Sequence, residues 1–263
     1  EIHERLVGSE MCIRDSMNKT PKINMAKENG ESVSKLFVGL RWDKNRFSNE
    51  KEADLDVVGF LTDENRKCKF PSDLVNHQNT DNYGTTWDWC ELSEDTTDGD
   101  DSKGITFSGE HYDEYMIIDT DKIPADRSDF YICMTIYRAI QRLQRFDMID
   151  NVQMHIYDYN APDKFKATFD LSEDEKFSSL NAVELGRLYR YNGKFKFQAL
   201  GRGYINGASE LFKTFGFNID EGKDLELKHY VDRYEEFYYN PETGECYEDP
   251  DGKRKIEGKV FRG

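Results

Sequence analysis

The sequence predicts a mostly β protein: an antiparallel β-sandwich with one or two short helices and an aromatic C-terminal extension. Three observations predict it. Apolar residues recur at every second position in several separate runs, an Asn192-Gly193 pair joins two of these runs, and helical spacing is confined to short stretches. Period-two alternation sets one face of a strand on a core and the other toward water. Asn-Gly between two such runs is the strongest short-range hairpin signal.

The elements follow in order. Leu36, Val38, Leu40 and Trp42 alternate with Phe37, Gly39 and Arg41. Phe130, Ile132, Met134 and Ile136 form a second run, and Val152, Met154 and Ile156 a third, which leaves His155 on the outward side. Phe195, Phe197 and Ala199 stand against Lys194, Lys196 and Gln198. Ala208, Leu211, Phe212 and Phe215 have helical spacing, and Gly216 is placed to stop that helix. A shorter helical turn follows Tyr137, where Ala139, Ile140 and Leu143 share a face. The run from Gly201 to Gly207 is not a dinucleotide fingerprint, because its third glycine comes one residue late and no βαβ alternation surrounds it. It reads as a tight turn.

Domain organisation is legible from composition. Residues 1–16 resemble a translated sequencing adapter, and Met17 is expected to be the start or a point just after a missing start. Residues 17–32 are polar and lysine-rich, and read as a disordered lead-in. The sandwich is expected over 33–219. Within it, 79–103 is a polar insertion whose second half clusters Glu91, Glu94, Asp95, Asp98, Asp100 and Asp101, and it reads as a solvated mobile loop. In the tail, 220–263, the spacing of Tyr230, Tyr234, Phe237 and Tyr238 predicts a short helix, and 238–247 a hairpin.

The net charge is -16, or -14 without the first sixteen residues, which hold four acids and two bases. Such acidity argues against direct nucleic acid binding by bulk electrostatics. It favours cations, although a well-solvated surface accounts for it equally well. Cys68, Cys90, Cys133 and Cys246 form no C-x-x-C pair and read as reduced thiols of a cytoplasmic protein. No apolar run is long enough for a transmembrane segment.

Asp54 and Asp56, two apart on an expected strand, point to one face. Like charges so close repel unless a cation neutralises them, and calcium, with its six to eight oxygen ligands and tolerant geometry, suits them. Asp43, Asn79 and the run Glu110-His111-Tyr112-Asp113-Glu114 are candidates to complete the shell. No EF-hand loop is present. The histidines at 77, 111, 155 and 229 make no H-E-x-x-H pattern, and no Ser or Cys sits in a nucleophile elbow, so no enzyme is expected.

Several segments together resemble the TerD family, calcium-binding β-sandwich proteins linked to tellurite resistance and general stress response. They are Gly39-Leu40-Arg41-Trp42-Asp43, Asp54-Leu55-Asp56, Asp113-Glu114 before an apolar strand, Gln144-Arg145-Phe146 and Phe169 to Asp174. Leu188 to Phe197 and Gly201-x-Gly203-Tyr204 complete the series, and the resemblance runs from Val33 to Ile219. It implies a pair of adjacent calcium sites at one end of the sandwich, built from loop carboxylates. Carried over by position, the ligands are Asp54, Asp56, Glu110, Asp113 and Glu114, with Asp43 and Asn79 nearby. One departure stands out. The family's long Gly-Asp-rich loop shrinks here to Glu110-His111-Tyr112, so one calcium is expected rather than two, and a site without metal stays open. The acidic insertion upstream offers replacement ligands.

The function expected is a non-enzymatic, calcium-binding stress-response module of the cytoplasm, whose metal-ordered loops form a docking surface for protein partners. The alternative is a metal-free β-sandwich scaffold acting through its insertion and tyrosine-rich tail. A divalent-metal hydrolase using Asp54, Asp56 and Asp113 ranks last, because no general base accompanies them.

Overall fold

A computed structural model describes residues 11–12, 22–23, 34–43, 52–83, 85–97, 99, 104–172, 174–219, 228–231, 235–240, 244–248 and 254–261. They fall into two compact units, 1–220 and 221–263. The first unit contains strands β1 (Lys35–Arg41), β2 (Leu55–Thr62), β3 (Leu74–Val75), β4 (Cys90–Leu92), β5 (Ile105–Phe107), β6 (Glu110–Tyr112), β7 (Glu114–Asp119) and β8 (Asp129–Ile136). They continue with β9 (Gln153–Asp158), β10 (Lys166–Asp170), β11 (Ala182–Tyr191) and β12 (Lys194–Tyr204). Helices α1 (His77–Tyr83), α2 (Ala139–Arg142) and α3 (Gly207–Phe215) connect or follow them.

Two sheets face each other, as the alternation predicts. One runs β10-β9-β1-β7-β4, the other β12-β11-β8-β2-β3, all antiparallel. The pair Met11–Cys12 adds a parallel edge to β10, and Lys22–Ile23 an antiparallel edge to β12. Those are the only described residues of 1–16 and 17–32. The rest of both segments lies outside the described residues, and at 22–23 the chain is a strand where composition suggested coil. An edge strand needs only a free backbone ladder to join, so a lysine-rich flank does not prevent it.

The core lies between the sheets. Leu36, Val38 and Leu40 of β1 meet Val57, Leu61, Phe130, Ile132, Met134, Met154, Ile156, Leu185 and Phe197, each at most 1 % exposed. Asn192 and Gly193 both take positive φ, 50° and 77°, and turn β11 into β12 in the expected register. Positive φ at both central residues is what a tight hairpin with native strand twist needs.

Both outer faces are covered as well. Helix α3 lays Leu211, Phe212 and Phe215 on Val58, Phe60, Tyr131 and Cys133, and Gly216 at φ 100° ends it. On the other sheet, hairpin β5–β6 folds Phe107 and Tyr112 over Phe37 and Tyr157, with Phe107 stacked on Phe37 at 4.0 Å. Gly39 makes this possible, since a Cβ there would lie 2.4 Å from the Tyr112 ring. His155, expected at the surface, is therefore buried at 2 % exposure.

Three further expectations are corrected. The Gly201–Tyr204 stretch is strand rather than turn, and Gly203 is there because a Cβ would sit 1.9 Å from Leu180. The turn after Tyr137 is the single-turn α2, but of its shared face only Ala139 is buried, while Ile140 and Leu143 are exposed. The stretch 79–103 is not simply a solvated loop. Its described part holds most of α1, buried Trp89 and strand β4 at the sheet edge.

In the second unit the helix expected from Tyr230, Tyr234, Phe237 and Tyr238 does not form. Strands β13 (Lys228–Val231), β14 (Glu236–Tyr239), β15 (Glu245–Tyr247) and β16 (Lys255–Val260) make an antiparallel sheet in that order. Tyr234 lies outside the described residues. Tyr230 and Phe237 pair across strands with rings stacked at 4.8 Å, an aromatic cross-strand contact that favours strands over helix. The segment read as a hairpin pairs Tyr238 with Tyr247 and Tyr239 with Cys246.

Candidate cation site

Four side chains from four separate segments meet where β2 and β7 begin. Asp56 is the second residue of β2, Glu114 the first of β7, His77 the first of α1, and Asp95 lies in the loop after β4. One ligand atom from each lies within 4.8 Å of all the others. Glu114 and His77 are buried, at 0 % and 5 % exposure, while Asp56 and Asp95 are half-buried.

Local structure holds each of them. Strand β3 reaches only Gly59 and Phe60 of β2. The Val57 N–H is instead satisfied across the sandwich by Glu114 Oε2 at 2.9 Å. Glu114 Oε1 accepts the Thr96 N–H at 3.4 Å, and the Thr96 hydroxyl donates to the Asp113 carbonyl. This loop anchorage brings Asp95 in. Asn76 caps α1, its Oδ1 accepting the Asn79 N–H at 3.0 Å, and the Asn79 amide donates to the Pro71 and Leu74 carbonyls. With the start of α1 pinned at both ends, His77 Nε2 comes to 3.2 Å from Glu114 Oε1. That contact is ionic rather than a directed hydrogen bond.

Burial alone would lower the His77 pKa, but Glu114, then Asp56 and Asp95, outweigh it and raise it to about 10. The ring is thus an imidazolium at neutral pH, standing among three carboxylates in the place where a bound cation would stand.

Two of the seven residues expected from the sequence, Asp56 and Glu114, belong to this group. Asp54 does not. Asp54 lies one residue before β2 and is fully buried, with its carbonyl accepting the Tyr137 N–H. The Asp113 carboxylate accepts the Trp42 N–H at 3.1 Å. Glu110 pairs with Arg41 at 2.5 Å and Lys166 at 3.5 Å. Burial works to raise its pKa, but Arg41, His155 and Lys166 hold it below the usual value. Asp43 is exposed and takes a hydrogen bond from Asn151. Asn79 supports His77 rather than serving as a ligand.

His77 was not among the expected ligands, and Asp95 was named only as part of the acidic insertion that offers replacements. The available signals were Asn76 and Asn79 bracketing His77 as a cap, and the apolar residues Trp87, Trp89 and Leu92 inside the acidic stretch, which fasten it to the sandwich. Calcium takes an all-oxygen shell of six to eight ligands. The described residues assemble three carboxylates and an imidazole, which fits a divalent cation but not that shell.

Comparison with known proteins agrees with this architecture. The family model described as TerD domain matches residues 13–215. General stress protein 16U of Bacillus subtilis (strain 168) is 30 % identical over 204 residues, covering 78 % of this chain and 98 % of the relative. Tellurium resistance protein TerD of Serratia marcescens is 29 % identical, covering 77 % and 97 %. Among solved structures, a homologue of telluride resistance protein (TerD) from Streptomyces coelicolor A3(2) shares the fold. Its TM-score is 0.53 at 13 % identity, covering 70 % of this chain and 96 % of that one.

Proposed function

The chain belongs to the TerD family, and from that premise we propose that it is a non-catalytic stress-response module whose divalent cation, held by Asp56, His77, Asp95 and Glu114, orders one end of the sandwich as a docking surface for a protein partner. One observation carries the reading: four segments distant in sequence, from both sheets, a helix and a loop, deliver their charged ends to one point. A cation there would tie β2, α1, the 93–97 loop and β7 together, replacing mutual repulsion with a shared attraction. Relatives named for general stress and tellurium resistance support the biological setting. Calcium is the ion the family resemblance implies.

The test is thermal unfolding of the chelator-treated protein with and without added dications. A ligand at about one hundred times its Kd stabilises by about 2.7 kcal/mol, which in a domain of this size is about 5–10 °C in Tm. The rise should vanish in Glu114→Gln and persist in Glu110→Gln. If both variants keep it, the cluster is not the site.

The scaffold alternative keeps one observation in its favour. Residues 221–263 form a compact unit of their own, with Phe237 and Cys246 buried inside its sheet. Under that reading, removing 221–263 would abolish partner capture while Glu114→Gln would leave capture unchanged.

A further inference from the structure

The donor set at the end of the sandwich contains a nitrogen where an alkaline-earth ion needs an oxygen. From this we infer that the site selects a first-row transition dication of the zinc class over calcium, with His77 Nε2 as the ligand that decides. The inference rests on the cation reading above and specifies its ligand.

Three features support it. The imidazole is buried, its side chain 6 % exposed, and Nε2 lies 3.2 Å from Glu114 Oε1 as an ion pair without hydrogen-bond geometry. Such a nitrogen gives calcium little, since that hard ion takes carboxylate, carbonyl and water oxygens. For zinc and its neighbours a neutral imidazole is a preferred ligand, and mixed His and Asp/Glu sets are common; binding therefore displaces the ring proton into solvent, and the ion takes over the neutralisation of the three carboxylates. The second feature is number. Four protein donors, one nitrogen and three carboxylates, match in number the four-coordinate shell of zinc, whereas calcium would need at least two more oxygens from backbone or water. The third is support. Glu114 is held by the Val57 N–H and the Thr96 N–H, and α1 is locked by Asn76 and Asn79, so the buried half of the shell is rigid. A rigid half favours a small ion of fixed geometry over a large one that relies on flexible oxygens. Asp56 and Asp95 are half-buried and form the more exposed half of the group.

The experiment is calorimetric titration of the full chain, stripped with chelator, with Zn2+ and separately with Ca2+, in the native protein and in His77→Gln and Glu114→Gln. Nitrogen NMR of the native protein follows the His77 ring in parallel, since Nε2 shifts strongly when it is metallated. The expected result is one Zn2+ bound more tightly than Ca2+, with the His77 Nε2 resonance displaced by Zn2+. His77→Gln, which offers an amide oxygen instead, should lose most of that advantage. Tighter binding of Ca2+, abolished by Glu114→Gln, would overturn the metal preference and leave the cation reading standing. Binding of neither ion in a Glu114-dependent way would overturn both. Zn2+ binding that leaves the His77 ring unshifted and survives in His77→Gln would place the ion on the thiols and also overturn the inference.

Discussion

His77 and His155 are both buried, at 5 % and 2 % exposure, yet their surroundings drive them in opposite directions. His77 faces Glu114, Asp56 and Asp95, and its pKa rises to about 10. His155 lies under the β5–β6 hairpin with Nδ1 2.7 Å from the Tyr112 hydroxyl. Burial, then Lys166, lowers its pKa to about 4 against the opposing pull of Glu110. Burial is common to both; the sign of the neighbouring charge decides. One histidine stands among three carboxylates, and the other sits in a hydrogen-bonded network with Tyr112 and Tyr157 that serves packing.

The largest effect should come from His77 in the cation-free protein. A pKa raised from 6.5 to about 10 contributes stability that is full below pH 6.5 and fades as pH climbs toward 10. Denaturant unfolding should show stability dropping by several kcal/mol across that window, visible from pH 6.5 to 8.5 before thiols and phenols titrate. His77→Gln should flatten this limb. A native protein equally stable at both pH values would end the contrast between the two histidines.

His155 should give the mirror image at acid pH. Its lowered pKa contributes stability that is full above pH 6.5 and lost as pH falls toward 4, worth at most about 3 kcal/mol. In His155→Gln, which keeps an acceptor for the Tyr112 hydroxyl, the loss between pH 6.5 and 5 should shrink.

Cation dependence then separates neighbours in sequence. Asp56→Asn should lose the dication-induced stabilisation, about 2.7 kcal/mol at about one hundred times Kd, while Asp54→Asn keeps it. Equal behaviour of the two would mean that Asp54 joins the shell once an ion is present. The smallest effect should be at Glu110. It is partly exposed and already neutralised by Arg41 and Lys166, so Glu110→Gln should cost no more than about 1 kcal/mol and leave cation affinity unchanged by calorimetry.

How much of this was legible can be argued residue by residue. The β1, β8, β9 and β12 runs, the Asn192-Gly193 turn and the α3 face all rest on neighbours within a few positions. Their periodicity survives into the fold because local geometry alone sets it. The aromatic tail misled for the same reason: over so few residues, Tyr230 and Phe237 suit a helix face as well as a cross-strand pair. His155 misled because alternation identifies an outward face but not whether a hairpin later covers it.

The sequence by itself therefore determined the sandwich, its family and the general region of its acidic end, since these depend on short-range pattern and on the order of landmarks. Only the tertiary structure decided which charges meet. Asp56, His77, Asp95 and Glu114 are brought together by the Glu114 to Val57 bond between sheets, by the Asn76 cap and by the anchorage of the 93–97 loop. A cation site is a matter of a few ångströms between side chains, and that distance is set by packing between elements rather than by spacing along the chain.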